Sequence, residues 1–220
     1  MGETSEPGEH EEQRIRRRVS DVAVGLFLER GFEQVTVADV AAAADIPEPA
    51  LLGHFPAKED LVTHRLADHE GEAAEVVARR PAECSPLEAL RRHFLDGLAR
   101  RDPATGLNDD PEVLAFHRLL YTTPSLAAHL HAHAERSETA LAGVLADVLG
   151  GEAAGSAEAR VAAGQIVATR RVLARDNRQR IAAGSSAAAL HLAATAAARS
   201  AFAHLEAGLP RLARTRPQPD

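Results

Sequence analysis

Apolar residues recur at three- and four-residue spacing from the first third of the chain onward. Ile15, Val19, Val22, Leu26 and Phe27 mark one face of a helix over Arg14–Arg30, and Gly31 at the C′ position stops it. Thr36 caps a second helix, with Asp39 three residues on as the acidic partner of a capping box. A tight break at Asp45-Ile46-Pro47 leads to a third helix, Glu48–Phe55. Pro49 is tolerated in its first turn, where the missing N–H would have had no partner. The turn Pro56-Ala57-Lys58-Glu59-Asp60 opens a fourth helix, roughly Lys58–Arg79. Past Pro81 the helices lengthen, with Pro and Gly as punctuation: Pro86–Arg101, Pro111–Tyr121, Ser125–Leu149, Glu158–Ala174 and Ser186–Gly208. Met1–Glu12, with Gly, Pro, Ser and five Glu, predicts a disordered tail, and Arg211–Asp220 a frayed one. No run of alternating Val, Ile or Thr is long enough for a sheet, so the predicted class is all-α.

Composition agrees. Hydrophobic residues make up 45% of the 220, aromatics only 3%, and Trp is absent, a mixture that favours helices over strands. A single cysteine, Cys84, excludes an intrachain disulfide and fits a reducing cytosol. The acidic N-terminus is neither a secretory signal nor a transit peptide. Ile181–Ala198 carries no formal charge, but its Ala, Ser and Gly are too weakly apolar to span a bilayer. The expectation is a soluble cytoplasmic protein with no membrane contact.

The pairs Val22-Ala23, Leu26-Phe27 and Gly31-Phe32, the run Thr36-Val37-Ala38-Asp39-Val40-Ala41, and Leu51, Phe55, Lys58-Glu59 and Leu61 together specify three helices, two caps and a turn. In this set the chain resembles the TetR family of ligand-responsive regulators. The segment Phe116–Leu126 and the closing Ala201–Leu209 are similar, more loosely, to C-terminal domains of actinobacterial members that bind acyl-CoA-like ligands. The resemblance implies a homodimer of about nine helices per protomer, with a helix-turn-helix head at 14–62 and a ligand-binding and dimerisation bundle at 63–209. Residues 1–13 and 210–220 are the predicted tails. It implies DNA contacts from Arg16, Arg17, Arg18, Thr36, Ala50, Leu52, His54 and Lys58.

The predicted recognition helix departs from the family pattern. Where family members carry a Ser cap, then Thr, Tyr and a Tyr-Phe pair, this chain has Pro47, Pro49, Ala50, Leu52 and Gly53. None of these side chains can hydrogen-bond a phosphate or a base edge, and phosphate contacts supply most non-specific affinity. Glu48 adds a negative charge at the helix start. Residues 10–62 hold six basic against ten acidic side chains, a net of −4, on a chain of net charge −7. That sign opposes counterion release. Two readings stand. One is a regulator whose head reads an unusual operator through apolar contacts, Ala50 or Leu52 against thymine methyls. The other is a pseudo-regulator that has lost DNA and binds or transforms an intermediate in its C-terminal cavity.

The cavity candidates are few. His117 shares a stripe with Val113, Phe116 and Leu120; His133 shares one with Leu126, Leu130 and Leu141, one turn after His129. The i, i+4 spacing of His129 and His133 suits two metal ligands, but no Glu or Cys completes a set and no HExxH motif exists, so no metal is expected. Tyr121, Asp176, Asn177, Arg171 and Arg175 are expected to converge with His117 on a cavity between helices five to eight. A hydrophobic or acyl-like ligand would be lined there by Phe94, Phe116, His117, Leu120, Tyr121, His129, His133, Arg171, Arg175 and Asp176. If the protein is an enzyme, His117, His133, Tyr121 and Asp176 carry the acid–base roles. No P-loop, dinucleotide glycine pattern, GxSxG or zinc finger is present, so no cofactor is expected. In the final helix Leu190, Ala194, Ala197 and Ala201 form one stripe and His191, Ala198 and Phe202 another. Two stripes suggest one face packed inside the protomer and one on a partner.

Overall fold

The computed structural model describes residues 7–67, 70–150 and 157–215, and among them there are ten α-helices, one 3₁₀ turn and no strand. The helices are α1 (Pro7–Arg30), α2 (Val37–Ala43), α3 (Glu48–His54), α4 (Asp60–Ala67), α5 (Glu72–Ala78), α6 (Pro86–Arg100), α7 (Pro111–Thr122), α8 (Pro124–Leu149), α9 (Ala157–Ala182) and α10 (Ala187–Gly208). They form two compact units. The first comprises Met1–Asp68 with Ala115–Ala132, the second His69–Leu114 with His133–Asp220.

In the first unit α1 packs on α2 and α4, and α2 on α3. Val19, Ala23, Val24 and Phe27 of α1 meet Val40, Ala41, Leu51, Phe55, Leu61 and Val62, with Leu119, Leu120 and Leu126 closing the core from α7 and α8. Buried Ser20 donates its hydroxyl to the Leu61 carbonyl at 2.7 Å, tying α1 to α4. The predicted tail is partly helix, since α1 begins at Pro7; residues 1–6 lie outside the described residues. Arg14 pairs with Glu11 (2.9 Å) and Arg16 with Glu12 (3.0 Å) one turn back, and both carboxylates lie toward the positive end of the helix dipole. Those local pairs extend the helix where composition alone suggested disorder.

The predicted fourth helix is two. Gly71 stands between α4 and α5, where it weakens helix by about 1 kcal/mol relative to Ala. At the front, the Asp60 carboxylate accepts the Ala57 N–H (2.8 Å) and sets where α4 starts.

The second unit is built around α6 and α10. Leu87, Leu90, Phe94 and Leu98 face Leu190, Ala194, Ala198, Phe202 and Leu205, and the rings of Phe94 and Phe202 lie 6.3 Å apart. Leu141, Leu145 and Ile166 complete this core from α8 and α9. The two stripes expected on α10 merge into one buried face. Leu190, Ala194, Ala198 and Phe202 point inward, whereas Ala197 is exposed and Ala201 only half-buried. Steps of four residues drift slowly around the helix, so one broad face takes members of both stripes. The outward face carries Ala188, Leu192, Ala196 and Ala203.

α9 runs on to Ala182, past the expected end at Ala174, because Asn177 and Ile181 prolong its buried stripe. The expected frayed end is docked as far as the described residues reach. Leu212 is buried and its carbonyl accepts the Leu87 N–H (3.3 Å), while Arg211 pairs with Glu158 (2.8 Å) and donates to the Leu149 carbonyl (2.8 Å). Residues 216–220 lie outside the described residues.

The turn after α6 presses on α9. Gly106 has φ 71°, and a Cβ there would lie 2.0 Å from the Ala174 carbonyl oxygen. Beside it the buried Asn177 amide donates to the Thr105 carbonyl at 2.9 Å. We expect Gly106→Ala to lower the stability of the protein by about 2–4 kcal/mol in urea unfolding, through backbone strain and overpacking. An unchanged midpoint would show that this turn does not bear on α9.

Candidate nucleic-acid interface

α2 starts where the sequence places it. The Asp39 N–H donates to the Thr36 hydroxyl oxygen (3.1 Å), and the Asp39 carboxylate accepts both the Thr36 N–H (2.8 Å) and the Thr36 hydroxyl (2.6 Å). The Thr36 side-chain hydrogen bond, then its backbone N–H, holds the Asp39 carboxyl below the usual carboxylate range. The hydroxyl proton of Thr36, a candidate phosphate donor, is thereby committed to the cap.

The end of α2 forms a Schellman turn. Ile46 N–H bonds the Ala41 carbonyl (3.1 Å) and Asp45 N–H the Ala42 carbonyl (3.3 Å). Asp45 takes the left-handed position, φ 54°, where glycine is the usual residue and a short Asx side chain the next best. Pro47 then stands at the N-cap of α3 with no side-chain hydrogen bond. Leu51, fully buried, fastens α3 to the core, and Phe55 behind it meets the His64 ring edge-on at 5.5 Å. Pro47, Glu48, Pro49, Ala50, Leu52 and Gly53 are all exposed.

The candidate cations near this surface are largely used by the head itself. Arg18 reaches the Ala44 carbonyl (3.4 Å) at the start of the turn. The Lys58 ammonium donates to the Phe32 carbonyl and lies 4.3 Å from the Phe32 ring centroid and 5.5 Å from that of Phe27. Glu12 lies 3.0 Å from Arg16 and 3.7 Å from His54 Nδ1, so one carboxylate stands between the two groups best placed for a phosphate. The spacing of Glu12 and Arg16 was readable as an i, i+4 pair; the approach of Glu12 to His54 spans distant segments and was not. Arg17 is exposed on α1.

The residues expected to line one cavity fall in both compact units. In the first, Leu120 is buried in the core, and Phe116 has the Arg65 guanidinium 5.5 Å from its ring centroid, with Arg65 itself paired to Asp21. His117 meets exposed Tyr121 edge-on at 6.1 Å, and His129 Nδ1 lies 3.1 Å from the Ser125 carbonyl. In the second, Phe94 is a core residue, and His133 and Arg136 lie 3.2 and 2.8 Å from Glu70. Two residues on, Glu72 binds His93 (3.2 Å) and Arg170 (2.8 Å), joining α5, α6 and α9. These carboxylates were missed in the sequence, since nothing local marks their partners. Arg171, Arg175 and Asp176 are exposed on α9. Asp176 and Asn177 line an open cleft of about 190 Å³ with Leu173, Gln179, Arg180, Ala194 and Ala197. No group of three or more His, Cys, Asp or Glu is placed to hold a metal among the described residues. Burial, then Glu88, pushes the Cys84 thiol up, away from reactivity.

Two measurements check this geometry. Glu12→Gln, which releases Arg16 and His54, is expected to raise the salt concentration at which the protein leaves a heparin column; unchanged elution would mean that Glu12 does not mask them. Because the folded Asp39 pKa lies below that of free aspartate, the cap contributes above about pH 3.9 and is lost as pH falls through the lower folded value. Asp39→Asn should therefore melt earlier than the parent at pH 7 by circular dichroism, with the gap closing toward pH 2. A gap independent of pH would contradict the charge-based cap.

Residues 20–64 match the sequence pattern of "Bacterial regulatory proteins, tetR family". Over 135 residues the chain is 30% identical to the HTH-type transcriptional regulator TcmR of Streptomyces glaucescens, covering 61% of this chain and 60% of TcmR. Over 79 residues it is 39% identical to the HTH-type transcriptional repressor KstR2 of Rhodococcus jostii, covering 34% of this chain and 39% of KstR2. The chain thus matches three-fifths or less of the length of these relatives. In fold it is similar to Salmonella enterica GusR (TM-score 0.56, 18% identity, 95% of this chain and 100% of that one). It is also similar to a TetR-family regulator of Streptomyces coelicolor (TM-score 0.52, 19% identity, 90% and 98%). Residues 20–64 thus carry the helix-turn-helix pattern of the TetR family, and the chain as a whole shares the all-helical fold of the TetR-family regulator of Streptomyces coelicolor.

Proposed function

We propose that the protein is a homodimeric, cytoplasmic transcriptional regulator whose hold on DNA is relieved by a small hydrophobic or acyl-like molecule in the second unit. The observation that carries this reading is the intact frame around α3: capped α2, a Schellman turn, and a recognition helix fastened by Leu51 with its neighbours turned to solvent. The regulators TcmR and KstR2 support it. Dimerisation is supported by apolar side chains left outside the protomer core on α9 and α10: Val161, Val172 and Leu192 are 56%, 51% and 82% exposed. A second copy that buried them would join two heads in one assembly. A ligand with different affinities for two head spacings would then shift the dimer between DNA-bound and free states.

A second reading is favoured by one observation. Every exposed residue of α3 lacks a side-chain hydrogen-bond donor, and the candidate cations Arg16, Arg18 and Lys58 make contacts within the head. On that reading the head is a structural cap, and the protein binds or transforms an intermediate in its second unit.

Mobility shift against duplex from the intergenic region beside the gene separates the two. The regulator reading predicts a discrete complex at about 50 mM salt, competed by the same duplex and not by unrelated DNA, and weakened by added acyl-CoA. No shift at low salt would remove the regulator reading and leave the second.

A further inference from the structure

The outward surface of α3 carries more information than weak DNA contact, on the premise that this head binds DNA as proposed above. Duplex DNA shows side chains in its major groove four kinds of feature: acceptors on guanine and adenine, amino donors on adenine and cytosine, an acceptor on thymine, and the thymine methyl. Reading guanine takes an arginine or lysine fork, and reading adenine an asparagine or glutamine. α3 offers none of these. Its exposed members are Glu48, whose carboxylate could accept only from a cytosine amino group, and Pro49, Ala50, Leu52 and Gly53, which have no polar side-chain atom. Leu52 is 43% exposed beside the fully buried Leu51, so its outward aim is fixed by the packing of its neighbour.

Two arginines border this apolar surface, each with a partner inside the head. Arg18 reaches Ala44 at the start of the turn into α3, and Arg16 stands near His54 at the other end through Glu12. An apolar strip matches the thymine methyls of a groove floor, the one apolar feature that the major groove offers. Gly53 adds an independent observation. A Cβ there would meet nothing within 4 Å, and its φ is not in the left-handed region, so neither packing nor turn geometry calls for glycine. Within a helix glycine is unfavourable relative to alanine. What it supplies is bare backbone, which lets another surface come close.

We propose that α3 reads its operator through thymine methyl groups, with Ala50 and Leu52 as the side chains in contact and Gly53 as the point of closest backbone approach. The partner is therefore duplex DNA whose half-sites place thymines under α3. Specificity by this route is shallow per base, since one buried methyl is worth about a fourfold difference in affinity.

The experiment replaces every thymine of the bound duplex with deoxyuridine, which removes the methyl and keeps each Watson–Crick edge. The parent protein should lose affinity by roughly 16-fold if each half-site of a two-fold operator loses one such contact. Leu52→Ala should bind the thymine and uracil duplexes alike. Gly53→Ala should melt at a higher temperature than the parent yet bind the duplex more weakly, a combination that a purely structural glycine does not give. Equal affinity of the parent for thymine and uracil duplexes overturns methyl reading while leaving DNA binding in place. A stabilised Gly53→Ala with full affinity overturns the close approach. Failure to bind either duplex at low salt instead removes the DNA-binding premise itself.

Discussion

Leu51 settles where α3 lies. It is the only residue of that helix in the head core, and it meets residues of α1 and α2 that are themselves held by Val19, Val24, Phe27 and Val40. The Schellman turn before it, with Asp45 in a left-handed conformation, fixes the angle at which the chain enters. Burying a leucine supplies about 1.5–3 kcal/mol, more than the strain of a non-glycine residue at that turn, roughly 1–2 kcal/mol. The orientation of α3 thus follows from packing and does not depend on any group on its outer surface. That surface can change chemistry while the frame stands.

The same separation explains the polar groups. In a head with ten carboxylates and six cations between residues 10 and 62, cations are drawn to internal carbonyls and carboxylates. Lys58 covers the Phe32 carbonyl and two rings, Arg18 the end of α2, and Arg16 is shared with Glu12. Each contact helps the frame and reduces what is offered to a phosphate. Stability and the proposed DNA affinity draw on one small set of residues, and the frame has first claim on it.

How much of this was legible in the sequence depends on the range of the interaction. The Thr36–Asp39 box, the stop at Gly31 and the bounds of α3 are local, set by spacing within a turn, and they lie where the pattern predicted. Interactions between distant segments were hidden. Lys58 turning inward, Glu12 reaching His54, and Leu212 docking beside Leu87 all depend on tertiary placement that spacing does not encode. The expected cavity shows the same limit. His117 and Tyr121 share a helix face, as their spacing implies, but Phe94 and Leu120 are core residues of different units, which apolar character alone could not reveal. The break at Gly71 was visible as a residue and underrated as a helix end.

The cations of this head serve the frame before they serve the proposed DNA partner. The slope of log affinity against log salt counts it directly, because each phosphate neutralised contributes about −0.9. A shallow slope is expected for the proposed dimer, roughly −2 to −4, equivalent to about one or two released counterions per head. A slope of about −8 or steeper would mean that Arg16, Arg18 and Lys58 leave their internal partners to grip phosphates, and would contradict it.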